Sequence, residues 1–168
     1  DAAMAEGAAT LAAAFFGLAS AGLHGPERGT NILDSGAPYY DVYRCADGKW
    51  VSVAPIEAKF RSELLVRLGF DAAKFPAMED RANWPAARRL LAARFAEQPR
   101  DHWSKVLEGT DACFAPVLAL DEAPAHHHCL TRGSFVTVDG VVQPAPVPRF
   151  SRTPAGLPTG ADSPGGSG

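Results

Sequence analysis

Apolar positions recur at helical spacing in the first part of the chain and then change to a period of two. Residues 7–23, GAATLAAAFFGLASAGL, carry no charge. Within them Leu11, Phe15, Leu18 and Gly22 recur at near-helical spacing. Ala is the strongest helix former, so residues 2–23 are expected to form one long helix, buried and closely packed through its small residues. The run is shorter and less apolar than the about 20 residues a membrane span needs. Asp1 and Glu6 stand where a signal peptide carries basic residues.

Residues 24–38, HGPERGTNILDSGAP, hold three Gly and two Pro with Asn and Asp, and predict a long loop of the kind that often carries function. Period-two patterning begins at residue 39 in YYDVYRCADGKWVSVAPIE. Asp47-Gly48 suits a two-residue type I′ turn between two strands. In the second strand Val51 and Val53 share one face, and Trp50 and Ser52 share the other. Helical spacing returns in EAKFRSELLVRL (57–68), with Phe60, Leu64 and Leu68 on one stripe and Gly69 as the stop. Asn83 is placed to cap a helix through about residue 97, its core face formed by Trp84, Leu91 and Phe95. A short helix over 100–108 is closed by Gly109. CFAPVL (113–118) reads as a strand interrupted by Pro116, and so as an edge or a strand end. SFVTV (134–138), Asp139-Gly140 and Val141-Val142 predict a second hairpin. The fold class expected is α+β: a long N-terminal helix (1–23), a small domain of antiparallel hairpins and short helices (24–143), and a Pro/Gly-rich connector or tail (144–168).

Composition narrows the function classes. The chain has 168 residues, is 46% hydrophobic and 21% charged, and carries a formal net charge of −3. This supports a packed core and argues against nucleic acid or an anionic membrane as a partner. Cys45, Cys113 and Cys129 are few, odd in number and widely spaced, which suits a reducing cytoplasm rather than a disulfide framework. The chain starts at Asp1 and ends in the linker-like GADSPGGSG, so a piece of a longer protein is expected.

One acid stands out. Glu57 follows Pro55 and Ile56 at a strand-to-helix junction. Loss of hydration there would raise its pKa from the reference of about 4.3, and the adjacent helix start would pull it down. Pattern alone favours an exposed helix-capping acid over a group that steers an imidazole. His126-His127-His128-Cys129 lacks the spacing of a metal site, and a solvated loop is expected. Asp111 reads as turn chemistry rather than as a catalytic acid. No nucleophile elbow or Walker A loop occurs.

DAAMAEG (1–7), RGTNILDSGAPYYDVYRCADGKWVSVAPIE (28–57), TDACFAPVL (110–118) and RGSF (132–135) together resemble the small domain of the α-methylacyl-CoA racemases, within the family III CoA-transferase superfamily. The resemblance runs to about residue 153. It implies an interlocked homodimer with a large CoA-binding domain not contained here, and an acyl-CoA substrate whose coenzyme A needs no further cofactor. It also implies inversion of the α-carbon of a branched 2-methylacyl-CoA by 1,1-proton transfer. The proton carriers, a His and an Asp, would lie in the large domain. Asp1 matches a non-catalytic position, and the chain alone is expected to be inactive. By the resemblance Glu57 reaches a partner subunit's catalytic His and orients it, half-buried. Leu33, Tyr40 and Ile56 line the acyl pocket.

The sequence departs from the family where Gly-Ala-Ile-Glu-Pro-Gln-Phe-Tyr is common. It reads Ala54-Pro55-Ile56-Glu57-Ala58-Lys59-Phe60-Arg61, and Pro55, Lys59 and Arg61 would reshape the pocket edge. Asp34-Ser35-Gly36 replaces Asp-Gly-Gly. A family III CoA-transferase, which uses a large-domain Asp nucleophile, is the alternative enzyme. The loop ILDSGAPYY lacks the glycine run related transferases often carry. A non-catalytic dimerisation module is the third reading. An apolar patch is expected around the 1–23 helix and the Tyr39–Val53 hairpin.

Overall fold

The computed structural model describes residues 1–157, so part of the expected tail (158–168) lies outside the described residues. The chain divides into two compact units, the first Asp1–Val117 and the second from Leu118 onward, a division that composition did not mark.

In the first unit the N-terminal segment is two helices, not one. α1 is Met4–Leu11 and α2 is Ala13–Ser20, with Ala12 between them at φ −81°, ψ 0°. Neither helix buries a residue, against the expectation of a buried helix. Among the described residues nothing packs on the stripe Leu11, Phe15, Leu18 closely enough to bury it. Among the described residues, no helix is long and apolar enough to cross a membrane.

The loop that follows is tied by Asn31, which is only 2% exposed. Its side chain accepts from the Gly25 amide and donates to the carbonyls of Gly25 and Glu27. A 3₁₀ turn, Ile32–Asp34, then leads toward the first strand. Arg88 donates to the carbonyls of Ser35 and Gly36 and pairs with Asp41, so the loop is held from outside as well.

Strands β1 (Asp41–Arg44), β2 (Trp50–Val53) and β3 (Phe114–Val117) form an antiparallel sheet in that order. Asp41 faces Val53, and Val51 faces Pro116. The turn between β1 and β2 differs from the type I′ expectation. Gly48 alone has positive φ (78°). The Gly48 amide donates to the Cys45 carbonyl, and the Cys45 amide to that of Lys49, a three-residue loop closed by a glycine bulge. Asp47 has another task there. Its carboxylate accepts from the amides of Lys49 and Arg100, tying the turn to the start of a later helix.

Three helices cover the inner face of the sheet: α3 (Ala58–Arg67), α4 (Trp84–Phe95) and α5 (Arg100–Leu107). α4 packs on β1, α5 on β3, and α3 against α5. Val51, Val53, Leu64, Leu91, Phe95 and Leu107 are fully buried between these layers. Tyr43 stacks on Phe95 with ring centres 5.2 Å apart, and Phe95 meets Trp103 edge-on at 5.3 Å. The polar ends of the buried aromatics are satisfied. The Trp103 indole donates to the Phe95 carbonyl, the Trp84 indole to Met78, and the Tyr43 hydroxyl to Pro38.

Asn83 precedes α4 but does not cap it; its amide donates to the Ala77 carbonyl. The side-chain cap falls earlier, where Asp80 accepts from Ala82 at the 3₁₀ turn Arg81–Asn83. On the outer face of the sheet Val42, Trp50 and Val117 remain more than a third exposed.

The second unit holds a 3₁₀ turn (Ala123–Ala125), helix α6 (His127–Arg132) and a hairpin of β4 (Phe135–Val138) and β5 (Val141–Pro144). Here Asp139 and Gly140 both have positive φ, 50° and 79°, as a type I′ turn requires. His126-His127-His128-Cys129 opens α6 and is not a loop. Gly133 in the left-handed region ends that helix, and Arg149 donates to the carbonyls of Arg132 and Gly133.

Candidate active-site corner

The corner between β2 and α3 places Ile56 and Glu57. Pro55 is fully buried, and Ile56, next along the chain, turns outward at 43% exposure. The Ile56 amide donates to the Ala54 carbonyl, a tight turn that sends the chain away from the sheet. Glu57 is the N-cap residue of α3, with φ −80° and ψ 140°. Its carbonyl accepts from the amides of Phe60 and Arg61 and so starts the helix.

Its carboxylate does not cap. No side-chain capping bond forms, although an N-cap carboxylate ordinarily accepts from the second or third helical amide. Among the described residues no hydrogen bond or ion pair engages it. The exposed, capping acid favoured by pattern is therefore half right: Glu57 is at the cap position and exposed, but its charge is unspent. The half-buried acid implied by the family resemblance is not found in the chain by itself. Pro55, not Ile56, supplies the buried part of the corner, so Glu57 stays in water.

The other expected site residues lie on a second segment. Tyr40 is half-buried, directly before β1. The register that pairs Asp41 with Val53 brings it out at the same end of the hairpin as Ile56. Leu33 is on the 3₁₀ turn Ile32–Asp34 and is 42% exposed.

Two neighbours of the corner were not assigned a role from sequence. Cys113, exposed and with φ 49°, stands opposite Ala54, whose amide donates to the Cys113 carbonyl. Partial burial pushes its thiol up, and the charges of Glu57 and Asp111 push it further. Cys113 is thus close enough to sense Glu57. Asp111 itself is exposed. Thr110 supplies the turn chemistry instead, its hydroxyl donating to Leu107 and accepting from the Ala112 amide.

The second neighbour is Arg61. Its guanidinium donates to the Ile56 carbonyl, pairs with Glu79 at 2.6 Å, and lies 4.7 Å over the Tyr39 ring. The sequence marked this position only as a departure from the pattern of its relatives. Its bond to Glu79, eighteen residues on, has no local signal.

The family model for CoA-transferase family III matches residues 1–166. The chain belongs to CoA-transferase family III. Over 157 residues it is 41% identical to the α-methylacyl-CoA racemase of Mus musculus, covering 92% of this chain and 41% of that protein. Against the α-methylacyl-CoA racemase of Homo sapiens the identity is 38% over 156 residues, with the same coverage of 92% and 41%. A CaiB/baiF CoA-transferase family protein of Caenorhabditis elegans, ZK892.4, is 26% identical over 68% of this chain and 33% of its own length. The fold is that of the solved structure of Rv3272 from M. tuberculosis, with a TM-score of 0.59 at 14% identity over 70% of this chain and 36% of that one. The chain spans about two fifths of the length of the racemases it matches.

Proposed function

We propose that this chain is the small domain of a 2-methylacyl-CoA racemase, an isomerase that inverts the α-carbon of a branched acyl-CoA by moving one proton off and another on. The observation that carries the site assignment is the unspent N-cap carboxylate of Glu57. A charge held at a helix start without a local bond is available to a group from outside the chain. In this reading it accepts from the imidazole of a partner subunit's catalytic His and fixes its orientation, as carboxylates do for catalytic His generally. The half-burial expected of Glu57 then comes from the partner subunit.

Leu33, Tyr40 and Ile56 form part of the acyl pocket. Each keeps apolar surface in water, which supports an apolar ligand or partner at this edge. The unburied α1 and α2 and the outer sheet face with Val42, Trp50 and Val117 support docking onto a large domain and a second subunit, as an interlocked dimer. The His and Asp that carry the protons, and the donors that hold the enolate oxygen, belong to that large domain, so the chain alone is inactive. Coenzyme A enters as part of the substrate, no other cofactor is required, and the compartment is the cytoplasm.

A second reading has its own support. The family is described by CoA transfer, and one relative carries that description. A transferase would use an Asp nucleophile of the large domain to form an acyl-enzyme.

The test is α-proton exchange on a 2-methylacyl-CoA in heavy water, with this chain alone and with the full-length protein containing it. Exchange by the full-length protein only is expected. Exchange by this chain alone would overturn the division of labour. No exchange, with CoA moved between carboxylic acids, would establish the transferase.

A further inference from the structure

Arg61, four positions on, makes two of the bonds that hold the corner at Glu57. Residue 61 contacts both carbonyls that flank Glu57. Its backbone amide donates to the Glu57 carbonyl at 3.0 Å, and its guanidinium donates to the Ile56 carbonyl. Fixing two consecutive carbonyls fixes the rotation of the chain about the Glu57 Cα between them. That rotation sets the direction in which the Glu57 side chain leaves the backbone.

The same guanidinium reaches two other segments. Its second terminal nitrogen pairs with Glu79 at 2.6 Å, and its plane lies 4.7 Å over Tyr39, inside the range of a cation–π contact. Tyr39 is buried and immediately precedes Tyr40. One planar group therefore joins the segment carrying Tyr40 to the corner carrying Ile56 and Glu57. The Arg61 side chain is 11% exposed and Glu79 65%, so the inner contacts are sheltered and the outer partner sits at the rim. Only a planar fork of several donors can serve both acceptors while stacked. Lysine has a compact point charge, and a tyrosine has one hydroxyl.

We propose that Arg61 is the positioning residue of this site, setting the aim of Glu57 and the spacing between Glu57 and Tyr40, with Glu79 holding the guanidinium in place. The inference rests on the reading of Glu57 as the carboxylate that orients the catalytic imidazole. Displacement of a catalytic group by about 1 Å can cost roughly a hundredfold in rate, so the aim of this carboxylate matters more than the stability of the corner.

The experiment uses the full-length protein and measures kcat, KM and the pH profile of kcat for Arg61→Met, Arg61→Lys, Glu79→Gln, Glu57→Gln and the double variant Arg61→Met with Glu57→Gln. Arg61→Met is expected to lower kcat roughly tenfold to a hundredfold, with a smaller change in KM. It is also expected to move the imidazole's limb of the profile to lower pH, in the direction of Glu57→Gln, because both remove the carboxylate from its partner. Arg61→Lys should rescue only part of the loss, and Glu79→Gln should give a milder form of it. The double variant should be no slower than Glu57→Gln alone.

A fall in melting temperature with kcat and the limb unmoved, or additive losses in the double variant, would overturn the proposal. An unaltered kcat in Glu57→Gln would instead overturn the reading beneath it. Should Arg61→Met not fold, Arg61→Lys and Glu79→Gln decide by the same criteria: a shifted limb supports the proposal, and an unshifted one ends it.

Discussion

Asn31 donates twice to the carboxylate of Asp34. The Asn31 amide donates to one oxygen of Asp34 at 2.7 Å, and the Asn31 side chain donates to the other at 2.8 Å. The second oxygen also accepts from the Gly29 amide at 3.1 Å. The Asn31 side-chain bond, with the backbone bonds behind it, holds the Asp34 carboxyl below the usual carboxylate range, against a smaller opposing effect of desolvation.

The sign of the pH effect follows from that depressed pKa. The carboxylate's contribution is complete above the ordinary value of about 3.9 and is lost as the pH falls through the depressed value. Acid titration is expected to loosen the turn carrying Leu33 only below about pH 4. The check is amide exchange at Gly29 and Asn31, and Asp34→Asn should already show the loosened state at neutral pH. Equal protection of these amides in both proteins would refute the assignment.

Gly36 is required for space. A Cβ there would lie 2.4 Å from the Asn31 carbonyl oxygen and 2.5 Å from the Thr30 carbonyl carbon, both backbone atoms that cannot step aside. Gly36→Ala is expected to destabilise the chain by about 2–3 kcal/mol, in the range of steric and strain substitutions. Denaturant unfolding measures it, and a loss under about 0.5 kcal/mol, the size of a neutral surface change, would show that the loop adapts.

Tyr43 is 3% exposed, and its hydroxyl is bonded to the Pro38 carbonyl. Burial raises its pKa well above the ordinary value, so it stays protonated. Tyr43→Phe leaves that carbonyl without its donor and should cost about 1–2 kcal/mol. The tyrosinate absorbance should also show one late-titrating group that disappears in the variant.

Glu57→Gln in the full-length protein should lower kcat more than it raises KM. Gln keeps the size and one acceptor but loses the charge that stabilises an imidazolium. Steady-state kinetics on a 2-methylacyl-CoA decide it, and an unchanged kcat removes Glu57 from the mechanism.

Cys113 reports on the same charge without any substrate. Its thiol is raised by partial burial and by Glu57 and Asp111, so it should alkylate slowly at pH 8. Glu57→Gln should speed alkylation, because more thiolate is present at a given pH. Identical rates in both proteins would mean that Glu57 points away from Cys113.

Much of this layout was legible in the sequence because local pattern fixed it. Val51 and Val53 alternate with Trp50 and Ser52, and the burial of the two valines follows that alternation. Pro116 marked an edge or a strand end, and β3 is an edge strand. Asp139-Gly140 formed the turn expected of it. Asp47-Gly48 did not, because Asp47 is drawn into capping Arg100, a contact 53 residues away. The break at Ala12 has no local cause in an alanine-rich run. The exposed cap position of Glu57 was legible from pattern, but hydrophobicity says that Pro55 and Ile56 are apolar and not which of them turns inward. Arg61 was invisible as a hub because its partners, Tyr39 and Glu79, belong to other segments.

Pro116 has a meaning beyond marking an edge. The Ala54 amide bonds to the Cys113 carbonyl, so that pair and every second pair after it exchange hydrogen bonds across the β2–β3 ladder. Val51 and Pro116 fall between these rungs. The proline nitrogen therefore faces away from β2, and its missing N–H costs the sheet nothing inside. On the outside it removes a donor from the middle of a four-residue rim. An unrelated extended chain arriving there finds an interrupted template, which guards the sheet against runaway strand addition and aggregation.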